Sequence, residues 1–148
     1  MTPAAADDAM IIEVRRLSLD TATTLARAAL DACRAKGIQV GVTVVDRDGT
    51  VQVALRDTIA APITLPVSKG KAVAAVNFNV STADLAIRAN TPLGRLPGMM
   101  MLPGGLPVQV GGSLLGGVGV SGSPSGDTDA ECAQAGLNAV MDDLEMEG

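Results

Sequence analysis

The stretch from Leu102 to Asp129, LPGGLPVQVGGSLLGGVGVSGSPSGDTD, decides the fold class. Within it Gly117, Gly119 and Gly122 form a G-x-G-x-x-G pattern, which in dinucleotide-binding proteins lies between a strand and a helix. Here the pattern lies inside a β-branched run, and Pro124 follows it almost at once. We therefore predict a strand whose small residues let a helix, a ligand or another subunit approach closely, and no nucleotide cradle.

Hydrophobic periodicity places further elements before this stretch. Apolar residues at helical spacing predict a helix from Leu19 to Lys36. The β-branched runs QVGVTVVD and TVQVALRD are joined by the turn residues RDG, which predicts a hairpin. A loop punctuated by Pro62 and Pro66 then precedes a helix that begins near Val67.

The remaining elements are predicted from turn and capping signals. A capping box at Ser81 opens a short helix through Ala89. A second hairpin turns at Gly111 and Gly112, and the final helix begins near Asp127. Both hairpins favour antiparallel pairing over helical crossovers.

These elements predict an α/β chain of the α+β type. Its order is α-β-β-α-α-β-β-β-α, in which residues 99–102 supply an extra strand. The architecture is a central antiparallel sheet of about five strands flanked by helices. Residues 1–16 are predicted to be a flexible N-terminal tail, and residues 17–148 a single domain.

Composition excludes several classes of chemistry. The 148 residues include no His, Tyr or Trp and carry a formal charge of −5. Without His there is no imidazole metal site and no Ser-His or Cys-His nucleophile. An acidic chain without Tyr or Trp, whose one aromatic residue is Phe78, is a poor partner for nucleic acid. No apolar run approaches the ~20 residues that cross a bilayer, so we predict no metal, nucleic-acid or membrane partner.

The two cysteines give a prediction about redox state. Cys33 and Cys132 have no metal-ligand spacing and form no disulfide framework. We predict two reduced, packed thiols in a cytoplasmic protein. The segment MTPAAADDAM is acidic and lacks the basic region and apolar core of a signal peptide, which favours the same location.

An ordered set of motifs resembles the GlcG / HbpS / PduO C-terminal-domain family of small bacterial proteins. The motifs, spread over residues 17–141, are VVDRDG (44–49), RD (56–57), SKGKA (68–72), GGLP (104–107) and GGVGVSGSPSGDTDAECA (116–133). The resemblance implies a profilin-like fold, a homo-oligomer, and either haem or tetrapyrrole binding or an accessory role in small-molecule catabolism. A tetrapyrrole is expected to be held here without a His ligand, by shape, apolar contact and Arg or Lys pairing to its propionates. No cofactor is required.

Three polar residues are predicted to form the core of a site. Arg56 ends the second strand, and Ser68 and Lys71 lie three positions apart on one helix face. If Arg56 points the same way, the three form a pocket for a carboxylate or enolate, with Lys71 as a base or Schiff-base amine. The structural alternative is a solvated Lys71 and an Arg56 that pairs with Asp57.

Three further residues complete the candidate ligand-binding set. They are Met100, from the methionine run 99–101, Gly105 and Ser121. Adaptable packing is the alternative role for Met100, and capping of the following loop is the alternative for Ser121. Asp129 is interpreted as a first-turn carboxylate that complements the helix dipole.

Two functions from different classes follow. The first is an oligomeric binding protein whose pocket takes a small organic anion, a tetrapyrrole among the candidates. The second is a cofactor-independent isomerase or lyase that acts on a small carboxylate or carbonyl substrate through Lys71 and Arg56. A structural partner of another enzyme is a third reading, and whether the chain is an enzyme stays open.

Overall fold

The computed structural model describes residues 8–148, so the first part of the predicted 1–16 tail lies outside the described residues. Residues 8–16 form no helix or strand. The elements that follow are α1 (Leu19–Ala35), β1 (Gly41–Asp46), β2 (Val51–Arg56), α2 (Thr64–Phe78), α3 (Thr82–Leu85), β3 (Gly105–Val110), β4 (Ser113–Ser121) and α4 (Gly126–Glu147), with 3₁₀ turns at Ala86–Arg88 and Pro92–Arg95. Within this described part, no helix is both long and apolar enough to cross a membrane.

Residues 8–148 form a sheet of four strands, in the order β2-β1-β4-β3, with every neighbouring pair antiparallel. The predicted antiparallel sheet flanked by helices is confirmed, but the estimate of about five strands was wrong. The segment predicted as the extra strand packs across α2 instead: the Met100 amide donates to the Gly70 carbonyl oxygen at 3.0 Å, and Met101 is buried. Its backbone therefore pairs with a helix and not with a sheet edge.

Helices cover both faces of the sheet. Val42 and Val44 of β1 belong to the core cluster shared with α1 and α4, whereas Val45 packs against Ala72 and Val76 of α2. Every residue of β1 is buried, because this strand is central and covered on both sides. The site described below lies where α2 and the first turn of α4 approach the end of β4.

The glycine-rich strand packs tightly under α2. A Cβ atom added at Gly119 would lie 2.0 Å from the Ser68 carbonyl oxygen, and one added at Gly117 would lie 2.6 Å from a methyl group of Val76. Both positions lie inside β4, between its partners β1 and β3. The prediction of an extended strand with a close neighbour is confirmed, and of the three alternatives (a helix, a ligand or another subunit) the structure shows a helix, α2.

Helix α2 begins at Thr64, three residues earlier than predicted. Pro66 therefore lies in its first turn and not in the preceding loop. A proline is tolerated there because the first amides of a helix have no intrahelical partner. The earlier start brings Thr64 against Gly41. A Cβ atom added at Gly41 would lie 2.6 Å from the Thr64 hydroxyl oxygen.

Cys33 and Cys132 form a disulfide bond that joins α1 to α4. The prediction of reduced thiols was wrong. The two residues are 99 positions apart, and only the packing of α1 against α4 brings them together, so neither count nor spacing indicates the pair. Both cysteines are completely buried in the main core cluster.

Removing this bond is expected to destabilise the protein. A cross-link that closes a loop of 99 residues restricts the unfolded chain strongly, and such bonds typically contribute about 2–4 kcal/mol. The free energy of unfolding of the variant Cys33→Ala/Cys132→Ala, measured in urea, should therefore be lower than that of the wild type by that amount. The bond itself is checked by denaturing the wild-type protein without a reductant and adding an alkylating reagent. Alkylation of both cysteines would contradict the bond.

The end of α1 is attached to the sheet by an ion pair. The Arg34 guanidinium donates two 2.8 Å hydrogen bonds to the Asp57 carboxylate, which lies directly after β2. These bonds lower the pKa of Asp57 from 3.8 to about 2, with the Thr58 amide also donating to the carboxylate. Asp57 therefore pairs with Arg34 and not with Arg56.

The lowered pKa of Asp57 predicts a pH dependence of stability. Because the folded-state pKa lies below the unfolded one, the ion pair contributes fully above the ordinary pKa of 3.8 and is lost as pH falls towards about 2. Asp57→Asn should be less stable than wild type at neutral pH, and the difference should shrink over that acid range. Urea unfolding midpoints of both proteins at several pH values measure this difference. A difference that stays constant down to the lowest pH would contradict the pairing.

Candidate functional site

A cavity of about 660 Å³ opens between the loop before α2 and the first turn of α4. This volume lies within the 300–1,000 Å³ typical of small-molecule sites. Its described lining residues are Gln39, Ile59, Ala60, Ala61, Ile63, Thr64, Val67, Lys71, Leu102, Pro103, Ser121, Gly122, Ser123, Ser125, Gly126, Asp127 and Asp129. Two residues of the predicted site, Lys71 and Ser121, are among them.

The floor of the cavity is a buried ion pair. The Lys71 ammonium donates to Asp129 Oδ2 at 3.1 Å and to the Val120 carbonyl oxygen at 2.9 Å. The two charged side chains are each only 4% exposed. Asp129 Oδ1 accepts a further hydrogen bond, at 3.0 Å, from the Ser123 amide. An ammonium has three hydrogens, so one remains for a ligand or solvent.

Local sequence explains how this lysine is held. The Gly104 and Gly105 backbone crosses directly over Lys71: a Cβ atom at Gly104 would lie 2.8 Å from Nζ, and one at Gly105 would lie 2.4 Å from the Lys71 carbonyl oxygen. Side chains at these two positions would displace the lysine. On the other side, Ser125 caps α4 by accepting from the Asp127 amide, which places Asp129 in the first helical turn. A carboxylate there is also stabilised by the helix dipole.

Large aliphatic side chains surround the mouth of the cavity. Ile59, Ile63 and Leu102 are 79%, 65% and 47% exposed, and all three line the cavity. Ile63 directly precedes α2 and Leu102 precedes β3, so regular elements anchor both. We call these three residues the apolar rim. The site thus combines a polar floor with an apolar entrance.

Arg56 and Ser68 do not join Lys71 in the cavity. The Arg56 side chain, at the end of β2, donates to the Ala60 carbonyl oxygen at 2.7 Å and so supports the loop that forms one wall. Ser68 is fully buried; its hydroxyl donates to the Leu65 carbonyl oxygen at 3.0 Å and lies 2.8 Å from the Thr43 hydroxyl. The described residues therefore do not form the three-residue anion pocket predicted from the sequence.

Met100 and Gly105 lie outside the cavity wall as well. Met100 lines a separate depression of about 330 Å³ with Met99, Lys69, Gly70 and neighbouring residues. Gly105 is buried at the start of β3, where its amide donates to the Thr82 hydroxyl at 2.8 Å. Its role in the structure is close packing over Lys71.

Asp129 and the apolar rim are the features that sequence analysis missed. Asp129 was assigned to the helix dipole alone, and nothing in the sequence indicates that Lys71, 58 positions earlier, is its partner. The rim residues come from a loop, a helix start and a connector, so no periodic pattern marks them. Among residues 8–148, no group of three or more His, Cys, Asp or Glu side chains is arranged to hold a metal ion.

Comparison with known family models and solved structures shows similarity to HbpS. Residues 17–138 match the family model described as "Haem degrading protein HbpS-like". A structure of a double mutant of HbpS from Streptomyces reticuli is 39% identical with a TM-score of 0.86, over 95% of this chain and 97% of that one. No curated protein sequence matches the chain.

Two other structures extend the similarity. A structure titled as a PduOC:heme complex is 29% identical with a TM-score of 0.78, over 84% of this chain and 94% of that one. Protein ORFY of Klebsiella pneumoniae is 24% identical with a TM-score of 0.82, over 90% of this chain and 96% of that one, and shows the shared fold. By its family match and its similarity to HbpS, this chain belongs to the HbpS-like family.

Proposed function

We propose that this protein binds a small organic molecule in the cavity between α2 and α4, and that a tetrapyrrole is held there without a protein ligand to its metal. The observation that carries the proposal is the 660 Å³ cavity, with the buried Lys71–Asp129 pair at its floor and the apolar rim at its mouth. The HbpS-like family and the relative crystallised with haem support the ligand class.

The residues present do not fit a haem that is coordinated through its iron in this cavity. The chain has no His or Tyr, and both cysteines form the disulfide. The nitrogen of Lys71 is already bound to Asp129. The thioethers of Met99 and Met100 belong to the other depression. Binding therefore depends on apolar contact and hydrogen bonds; the Arg or Lys pairing to propionates predicted from the sequence has no free cation among the described lining residues, because Lys71 is paired with Asp129.

A pair of titrations tests this proposal. Haem and iron-free protoporphyrin IX have the same macrocycle and propionates, so they differ only in the metal. Because iron makes no bond to the protein, we expect saturable binding of both, with Kd values within about threefold of each other. Much tighter binding of haem would contradict the absence of an iron ligand, and no saturable binding of either would contradict the proposed function.

Two variants test whether the porphyrin binds in the cavity. Ile63→Asp places a charge on the apolar rim and should weaken porphyrin binding at least ~10-fold, which is about 1.4 kcal/mol. Ile87→Asp is the matched control, because Ile87 is 85% exposed and does not line the cavity. Equal affinities of these two variants would place the ligand elsewhere.

The proposal includes a homo-oligomer, which the family resemblance implies. The consecutive residues Met10, Ile11 and Ile12 are 99%, 88% and 72% exposed and offer apolar surface to a second copy. A native mass above the 14.9 kDa of one chain is expected, and the variant Ile11→Asp/Ile12→Asp should lower it. A single 14.9 kDa species at micromolar concentration would contradict the oligomer.

The disulfide bears on the proposed location. Such bonds persist mainly in oxidising compartments, so the structure favours one of these over the predicted cytoplasm. Mass measurement of the protein isolated from its own cell fraction decides between them: a mass two hydrogens below the reduced chain supports the oxidised form, and the reduced mass supports the cytoplasm.

Catalysis through Lys71 is a second candidate, favoured by one observation: this lysine is buried at the floor of a cavity. Its nitrogen, however, is bound to Asp129, whereas an imine requires a free lone pair. Arg56, the predicted partner, does not line the cavity. The binding proposal therefore expects no adduct on Lys71 after borohydride treatment with pyruvate. A trapped adduct at Lys71 would favour the isomerase or lyase.

A further inference from the structure

We infer that the cavity floor selects a neutral hydrogen-bond-accepting group, such as a carbonyl, and discriminates against a carboxylate. This inference rests on the proposed function and names the head group of its ligand. It replaces the organic anion that the sequence predicts. For a porphyrin, it implies that the propionates point out of the cavity towards solvent.

Two hydrogen-bond donors face the ligand from the floor. The first is the third hydrogen of the Lys71 ammonium, since the other two go to Asp129 and to the Val120 carbonyl oxygen. The second is the hydroxyl of Ser121, a cavity-lining residue that is only 9% exposed and whose side chain makes no hydrogen bond within the described residues 8–148. A carbonyl oxygen has two lone pairs and can accept from both donors.

The charges of the cavity disfavour an anion. Of the described residues that line it, Lys71 is the one cation, and Asp127 and Asp129 are both acidic, so one positive and two negative charges leave −1. The Lys71 charge is already balanced by Asp129 at 3.1 Å. A ligand carboxylate on the floor would lose water and lie beside Asp129 without a free cation to compensate. A neutral carbonyl has no such cost.

The apolar entrance of the cavity favours a ligand with an apolar body. Ile59 and Ile63 are the most exposed large hydrophobic residues of the lining, and Leu102 completes the apolar rim. An apolar body that covers these side chains removes their surface from water. The ligand class is therefore amphipathic, with a neutral polar head at the floor and a hydrocarbon or aromatic body at the mouth.

Two isosteric probes test the head group. 1-Naphthylacetamide and 1-naphthylacetate share one aromatic body and differ in the charge of the head. We expect the amide to bind at least ~10-fold more tightly at neutral pH, measured by calorimetry. The acetate should gain affinity relative to the amide in Asp127→Asn, because one carboxylate of the lining is removed there.

Ser121→Ala tests the second donor. It should weaken amide binding several-fold, because a carbonyl then loses one of its two hydrogen bonds. Ser113→Ala is the matched control: it makes the same change at the other end of β4, outside the cavity. Equal amide affinity in the two variants would overturn the role of Ser121.

The remaining outcomes separate this inference from the proposed function. Acetate binding as tight as amide binding, or tighter, overturns the inference. If neither probe binds while the porphyrin titration saturates, the head-group inference fails and the proposed function stands. If neither probe nor porphyrin binds, both fail.

Discussion

Gly119→Ala is expected to destabilise the fold by more than about 3 kcal/mol, above the usual range for overpacking. The added Cβ atom would lie 2.0 Å from the Ser68 carbonyl oxygen and 2.8 Å from the Ala72 amide nitrogen. Both are backbone atoms, so no side chain can rotate away. The helix would have to retreat, which opens the Thr43–Ser68 hydrogen bond.

Urea unfolding of a graded series measures this effect. At Gly117 an added Cβ atom would lie 2.6 Å from a methyl group of Val76 and 3.0 Å from the Ala72 carbonyl oxygen, so its backbone contact is less close than at Gly119 and the loss should be smaller. Gly111→Asn is the control: the residue has φ +56 in a hairpin turn with open space around it, and asparagine tolerates that conformation. The predicted order of loss is Gly119, then Gly117, then Gly111. A Gly119→Ala variant as stable as the control would contradict the close packing.

Asp129→Ala should have the second largest effect, a loss of about 3–5 kcal/mol, because it leaves a buried charge without its partner. Lys71 is 4% exposed, so water cannot replace the carboxylate fully. The same change also removes the acceptor of the Ser123 amide. The exposed neighbour Asp127 provides the control, and Asp127→Ala should change the unfolding free energy by no more than ~0.5 kcal/mol.

A double-mutant cycle separates the ion pair from simple packing. Lys71→Met alone leaves a buried carboxylate, so it should also be destabilising. The variant Lys71→Met/Asp129→Ala removes both charges and should recover a substantial part of the loss. If the two single losses simply add in the double variant, Lys71 and Asp129 are not energetically coupled and the described floor is wrong.

Local patterns were sufficient for the parts of the fold that depend on near neighbours. The alternation of Gly117 and Gly119 predicted the strand and a close approach to it, but not whether a helix, a ligand or another subunit approaches. The start of α1 at Leu19 followed from apolar spacing alone. Both hairpins followed from their turn residues, as at Gly111, where the chain adopts a positive φ.

Features that depend on distant residues could not be predicted from one sequence. The Cys33–Cys132 bond spans 99 positions, and the Lys71–Asp129 pair spans 58. The cysteines meet only after α1 packs against α4, and Lys71 meets Asp129 only after α2 and α4 have both packed against β4. Arg56 illustrates a further limit: its position at a strand end was predicted, but the direction of its side chain, towards the Ala60 carbonyl oxygen, depends on the following loop.

The most direct test of the proposed site is an NMR titration of methyl-labelled isoleucine residues with iron-free protoporphyrin IX. Ile59 and Ile63 lie on the apolar rim, whereas Ile87 is exposed, does not line the cavity and serves as the internal control. The macrocycle's ring current should shift the Ile59 and Ile63 methyl signals strongly and leave the Ile87 signals unchanged. A shift of the Ile87 signals, with Ile59 and Ile63 unmoved at saturation, would contradict binding in the cavity between α2 and α4.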